Sequence, residues 1–253
     1  MAADCRTERT MSEKFTVKFV DNKNELLAAE RLRYQMVTEY NGDAANEQRT
    51  DYSSVDEHAL HIIATDNESG EVVGYYRMLT TEAVGDGKFI CEDEYNIDEL
   101  KSRGEKMCEL SRAIVQKEYR GGVVVMMLWK FILNFALDNG YRYLIGDVSF
   151  NGTDRNEFLQ EVSYLAHNFG IDESYKITSR DVLAPMELLD ESQYDKGEVR
   201  RKLPPLFKAY TQIGGRLSSQ TFTDTAFGSV DLFVLVDLQN CNMPYIKRLI
   251  AQR

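Results

Sequence analysis

Glu109 and Arg112 stand three residues apart in the mostly apolar run from Met107 to Val115. A carboxylate held in an apolar strand has its pKa raised by desolvation, which suits it to accept a proton from a nucleophile, directly or through a water. In a regular strand a spacing of three puts the two side chains on opposite faces. A β-bulge between them would bring the pair to one side and free backbone N–H groups for a developing oxyanion. The same two residues also fit a plain edge-strand ion pair, and spacing alone does not separate the readings.

A second feature is Arg120-Gly121-Gly122 ahead of a long apolar run. A helix N-terminus offers unpaired N–H groups and partial positive charge, and glycines let a phosphate approach the backbone closely. Val123, Val124 and Val125 follow where further spaced glycines would strengthen that motif, and two glycines also serve as a simple turn. Arg33, Asp56 and Arg77 offer a grip on a carboxylate, which an arginine makes in bidentate fashion, or else a structural ion-pair network. His58 and His61 would face opposite sides of a strand with no third ligand in view, so no metal site is expected. Asn151-Gly152-Thr153 has the form of a glycosylation sequon without a secretory signal, and Ser111 and Ser149 lack a partner histidine at a recognisable spacing.

These residues need a fold to position them, and the composition allows one. The chain has 253 residues, 43% of them hydrophobic, enough for a sizeable core. Its 30 basic and 41 acidic residues give a net charge of −11, which excludes a broad nucleic-acid footprint and means that an anionic ligand must meet a local basic patch. Cys5, Cys91, Cys108 and Cys241 are scattered, as in reduced thiols rather than a disulfide frame or zinc site. The N-terminal residues lack the apolar core of a signal peptide, and a cytoplasmic location, at most peripheral to the inner membrane, is expected. The apolar stretch from Gly121 to Leu137 carries Lys130 and Asn134 and reads as a buried helix rather than a membrane span.

Periodicity predicts a strand over 15–20, a helix capped by Asn24 and running to Tyr40, and a hairpin of strands over 59–65 and 72–79. A strand over 107–116, a helix from the two glycines to Asn139, and a strand over 141–150 follow. Asp154 is expected to cap a helix reaching Phe169, and residues 172–199 are polar and resist assignment. A short helix over 203–213 opens with Pro204 and Pro205, 229–238 is a strand, and 245–252 closes as a helix. With no repeat or linker in sight, the expectation is a tail over 1–14 and a single α/β domain over 15–253.

In this order the residues resemble a known family. Glu109-Leu110-Ser111-Arg112-Ala113-Ile114-Val115, followed by Tyr119-Arg120 and Leu128-Trp129, is similar to the ornithine-lipid-forming N-acyltransferases of the GNAT superfamily, also called hemolysin-like proteins. Arg31-Leu32-Arg33-Tyr34, Gly74 with Arg77-Met78-Leu79, Ser149-Phe150 with Gly152-Thr153-Asp154, Leu203-Pro204-Pro205-Leu206 with Lys208 and Tyr210, and Val230-Asp231-Leu232-Phe233-Val234 extend the likeness. Autoinducer synthases and N-acyl amino acid synthases share Arg33, Arg77, Glu109 and Arg112 of the pattern.

The resemblance implies a GNAT fold, a mixed central sheet flanked by helices with an elaborated C-terminal half. It implies transfer of a long acyl group, 3-hydroxylated in some members, from an acyl carrier protein or coenzyme A thioester to an amino acid's α-amine, ornithine above all. No cofactor is expected to be permanently bound; the acyl-phosphopantetheine thioester is a cosubstrate. In that scheme Glu109 and Arg112 are catalytic, and Val115, Arg120, Gly121, Gly122 and Ser149 receive the pantetheine arm. Arg33, Asp56, Arg77 and Asp154 bind the acceptor. Acyl carrier protein is acidic, so docking requires local cations, for which Lys117, Arg120, Lys130, Arg155, Arg200, Arg201 and Lys202 are candidates. Met126, Met127, Trp129 and Phe131 fit an acyl slot or ordinary core. The rival expectation, a membrane-active protein, needs a strongly amphipathic basic helix, and only 244–253 offers a basic end for transient contact with a lipid surface.

Overall fold

The computed structural model describes residues 9–41, 49–120, 122–182 and 186–251. The chain crosses between two compact units, where a single domain was expected. The first holds residues 1–85, 110–140 and 246–253, and the second 86–109 and 141–245. Strand β6 passes from one to the other, and a linker-based reading has no sign of that division.

Along the chain, β1 (Arg9–Met11), β2 (Phe15–Phe19), α1 (Lys23–Asn41), β3 (Leu60–Asp66), β4 (Val72–Thr80) and α2 (Thr81–Val84) open the first unit. The second begins with β5 (Tyr95–Asn96), α3 (Asp98–Ser102) and the first residues of β6 (Met107–Val115). The rest of β6 and α4 (Val123–Asp138) return to the first unit. Then come β7 (Tyr143–Asn151), α5 (Leu159–Phe169), β8 (Thr178–Ser179), α6 (Lys196–Lys202), α7 (Pro205–Gln212), β9 (Arg216–Asp224) and β10 (Ser229–Asp237), with α8 (Met243–Ala251) last.

In the first unit β1 to β4 pair antiparallel in sequence order. Of the expected tail over 1–14, residues 1–8 lie outside the described residues, and Arg9–Met11 adds a strand to β2 in the register Thr10↔Val17. β2 alternates buried Phe15, Val17 and Phe19 with half-buried Thr16 and Lys18, the period-2 signature of a one-sided strand. α1 is capped one step earlier than expected, since Asn22 Oδ1 accepts the Glu25 N–H at 3.0 Å and Asn24 lies inside the first turn. Its Ala29, Leu32 and Met36 pack with Ile63, Tyr75 and Ile114, the spacing of one helix face. α4 starts after Gly122, whose φ of 96° is open to glycine and strained for other residues. Gly74 on β4 lets α4 approach, because a Cβ there would stand 2.7 Å from Val124 Cγ1.

In the second unit β6 pairs parallel with β7 from Met107↔Tyr143 to Glu109↔Ile145, and β10 lies antiparallel to both β7 and β9. A parallel pair requires a crossover, which the α4 segment supplies. β9 was not expected: Arg216-Leu217-Ser218-Ser219-Gln220-Thr221-Phe222-Thr223-Asp224 is polar enough to read as loop, yet Leu217, Ser218 and Thr221 are buried against β10. The unassigned stretch over 172–199 contains β8, short 3-10 turns and the start of α6. Asp154 caps a single 3-10 turn over Arg155–Phe158, and α5 starts only afterwards.

Candidate active site

In the first unit the residues expected to hold the acceptor form one buried network. Arg33 is fully buried and grips Asp56 through Nη1 and Nη2 at 3.0 and 2.9 Å, with Nε on Asp51 at 3.0 Å. Arg77 adds Nη1 to Asp56 at 3.1 Å and Nε to the Ser111 hydroxyl at 3.0 Å. Burial alone would raise the Asp56 carboxyl, but hydrogen bonds from Arg33 and the Ser53 N–H, with the charges of Arg33 and Arg77, hold it down at about 2. His61 joins this network. Its Nε2 meets the Asp56 carbonyl at 2.9 Å, which can only accept, so that nitrogen carries the proton and Nδ1 accepts from the Tyr75 hydroxyl at 2.7 Å. Burial, the main influence, pushes the His61 pKa down and favours this neutral ring. Sequence reasoning missed Asp51, Ser53 and Tyr75 and set His61 and Ser111 aside.

Arg112 reaches this network at its edge, with Nε on Asp51 Oδ2 at 3.2 Å and its side chain about one-third exposed. Its backbone is left-handed, with φ of 54°, inside a strand. The expectation was a bulge that brings Glu109 and Arg112 to one side; Arg112 meets Asp51 in the first unit, while Glu109 meets the Ile90 and Cys91 amides in the second.

Glu109, 1% exposed, belongs to the second unit. Its Oε2 accepts the Ile90 N–H at 2.7 Å and its Oε1 the Cys91 N–H at 2.6 Å, fixing the 3-10 turn over Ile90–Asp93. A carboxylate has about four lone-pair sites, more than these two N–H groups occupy. Register places this side chain in a polar row. Glu109 pairs with Ile145, Ser149 with Asp231, and Asp231 and Ser229 with Phe222 and Asp224, so Glu109, Asp147, Ser149, Ser229, Asp231 and Asp224 share one sheet face. Glu94 comes to the same row, and one ligand oxygen each from Glu94, Asp224 and Asp231 lie within 4.8 Å of one another. Burial first, then the charges of Asp231 and Asp224, push Glu94 up to about 8, and burial likewise raises Asp147 and Asp231. This row was legible as Asp147-Val148-Ser149 and Ser229-Val230-Asp231, but only pairing shows that the two alternations face the same way.

A cavity of about 620 Å³ in the second unit is lined by Asp154, Arg155, Arg180, Phe222, Thr223 and Thr225 among others. Arg180 is fixed by Nε to the Glu92 carbonyl at 2.8 Å. In the first unit, Arg120 turns back to its own strand, with Nε on the Val115 carbonyl at 3.1 Å. Gly121 lies outside the described residues. Lys117, Arg120 and Lys130 belong to the first unit, and Arg155 and the exposed Arg200, Arg201 and Lys202 to the second, where Lys202 pairs with Glu198 at 2.8 Å. Met127, Trp129 and Phe131 are core, and Met126 is 43% exposed.

Residues 32–130 match the family model described as an acetyltransferase (GNAT) domain. The chain is an acyltransferase with the GNAT fold, its largely antiparallel strands flanked by helices. It is similar to the L-ornithine N(alpha)-acyltransferase of Rhodobacter capsulatus, 28% identical over 89% of this chain and 90% of that one, and to the protein of that name from Rhizobium meliloti, 28% identical over 88% and 79%. Among solved structures it is similar to BjaI, a CoA-dependent acyl-homoserine lactone synthase bound to MTA, at TM-score 0.51 and 14% identity over 90% of this chain and 81% of that one. TofI, in a ternary complex with an inhibitor and MTA, matches at TM-score 0.51 and 11% identity over 92% and 96%. No helix among the described residues is long and apolar enough to cross a membrane.

Proposed function

We propose that this acyltransferase moves a long acyl group, 3-hydroxylated or plain, from acyl carrier protein or coenzyme A to the α-amine of an amino acid, with ornithine the acceptor. The observation that carries the reading is the extent of the likeness to the named ornithine N-acyltransferases. It runs over 88–89% of this chain, past the GNAT match at 32–130 and into the part that supplies Asp147 and Ser149.

An α-amine with a pKa of roughly 8 is mostly protonated near neutral pH and must lose a proton before it attacks a thioester. In this reading Glu109 accepts that proton, directly or through a water, on a lone pair that Ile90 and Cys91 do not use. The thiol that leaves has a pKa of about 8.5 and needs little help from an acid. Arg112, tethered by Nε to Asp51, offers its outer nitrogens to a substrate oxygen. Arg33 has committed four of its five N–H donors to Asp51, Asp56 and Tyr75 and is fully buried, so with Asp56 and Arg77 it braces the fold rather than gripping the acceptor. Gly122 at the start of α4 admits the pantetheine phosphate, with Val115 and Arg120 of the same unit as further contacts, while Ser149 belongs to the second unit. Lys117, Lys130, Arg155, Arg200, Arg201 and Lys202 supply cations for an acidic carrier protein against the net charge of −11.

The test is to incubate the protein with an acyl carrier protein or acyl-CoA of defined chain length and with ornithine, lysine or glycine, reading products by mass spectrometry. An amide on the α-nitrogen of ornithine supports the reading. Free thiol without an amide product on any amino acid contradicts it.

A further inference from the structure

We infer that Glu94, Asp224 and Asp231 seat the side-chain ammonium of the acceptor, an inference that rests on the reading of that acceptor as a diamino acid. All three belong to the second unit. Asp231 is 3% exposed, and its Oδ1 is buried from water with no hydrogen-bond partner among the described residues. Glu94 Oε2 and Asp147 Oδ1 are buried and unpartnered in the same way. No Lys or Arg among the described residues forms an ion pair with Glu94, Asp224 or Asp231. Buried polar atoms are nearly always satisfied, so the bare oxygens of Asp231 and Glu94, two of the three cluster members, mark the place of a missing donor.

The geometry suits an ammonium. Three acceptors each about 2.8 Å from one tetrahedral nitrogen stand about 4.6 Å apart. One oxygen each from Glu94, Asp224 and Asp231 lies within 4.8 Å of the others, close enough to share one such nitrogen. Asp224 is held for the task, its Oδ1 taking the Ala226 and Phe227 N–H groups at 2.8 and 2.9 Å while Oδ2 stays open. Glu94 and Asp224 are only partly buried, so the cluster is open to solvent on their side.

The seat would also set regiochemistry. An ammonium placed among these acids favours their charged form, so it keeps its own proton and has no lone pair with which to attack, while the α-amine gives up its proton.

The experiment compares kcat/KM for ornithine and for norvaline, which has the same backbone and no side-chain amine, in the wild type and in Glu94→Gln and Asp231→Asn. The wild type is expected to prefer ornithine by about 100-fold or more, because a site built for a buried polar group rejects the analogue that lacks it. In either variant that preference should shrink at least about tenfold. The wild-type comparison stands even if Asp231→Asn fails to fold. Acylation of norvaline as readily as ornithine overturns the inference while leaving the acyl-transfer reading intact, and so does an unchanged ratio in a folded Glu94→Gln protein. Tight calorimetric binding of Mg²⁺ or Ca²⁺ to the wild type but not to Glu94→Gln overturns it in favour of a metal site. If no amino acid is acylated, the reading of the reaction fails and this inference falls with it.

Discussion

Arg33 and Asp56 meet through two parallel hydrogen bonds, 3.0 and 2.9 Å long, with neither side chain more than 1% exposed. Breaking a buried pair by removing one partner leaves an uncompensated charge, at a cost of about 3–5 kcal/mol. Arg33→Met should therefore lower the melting temperature by roughly 6–20 °C. Arg33→Lys should also destabilise, because an ammonium cannot reproduce the planar fork. Thermal melts decide it, and an Arg33→Met protein melting within a degree or two of the parent shows that the pair braces nothing.

The same carboxylate governs acid stability. Asp56 sits at about 2 in the folded chain against an ordinary 3.8. A depressed acid stabilises the fold above its unfolded pKa, and that share is lost as pH falls through the folded value. The loss amounts to about 2 kcal/mol between pH 4 and pH 2. Denaturant midpoints across that range should fall faster in the parent than in Asp56→Asn, whose lower baseline should be flatter.

Glu94 works in the opposite direction. Its folded pKa of about 8 lies above its ordinary 4.5, so the folded chain binds the proton more tightly. Stability contributed this way is full below the unfolded value and declines as pH rises from about 5 to about 8. Glu94→Gln should flatten that decline. A parent whose denaturant midpoint rises with pH across this window contradicts the raised carboxyl.

How α4 rests on β4 gives a packing test. Gly74→Ala places a methyl 2.7 Å from Val124 Cγ1 and 3.1 Å from Leu128 Cδ1. Overpacking of this kind costs about 1–3 kcal/mol. Adding Val124→Ala removes the nearer clash, so the double variant should lose less than the two single changes summed. Strict additivity would place the strain elsewhere.

The elements with a strong period were legible in the sequence. Phe15, Val17 and Phe19 alternate, and Ala29, Leu32 and Met36 keep a helical spacing, so β2 and α1 fall within a residue or two of expectation. β9 was not legible, because Ser218 and Thr221 are buried by satisfied pairing with β10 rather than by apolar character. The site divides in the same way. Glu109 and Arg112 stood out as charges in an apolar run, but the left-handed backbone at Arg112 is set by context and carries no signal in the residue type. The Glu94, Asp224 and Asp231 cluster is spread over more than 130 positions of sequence, and only the register of β7, β9 and β10 gathers it. Asp51 likewise carries no local signal, since its partners Arg33 and Arg112 lie 18 and 61 residues away.

Glu109 is the residue on which the proposed chemistry depends, and single-turnover kinetics of Glu109→Gln with an acyl thioester and ornithine test it most directly. A positioned proton acceptor contributes roughly 100-fold or more, so the variant should form N-acylornithine at about one-hundredth of the parent rate or slower near neutral pH, with the gap narrowing as rising pH deprotonates the amine unaided. A folded Glu109→Gln protein within about tenfold of the parent at every pH would contradict the assignment and leave Glu109 as the anchor of the Ile90 and Cys91 amides alone.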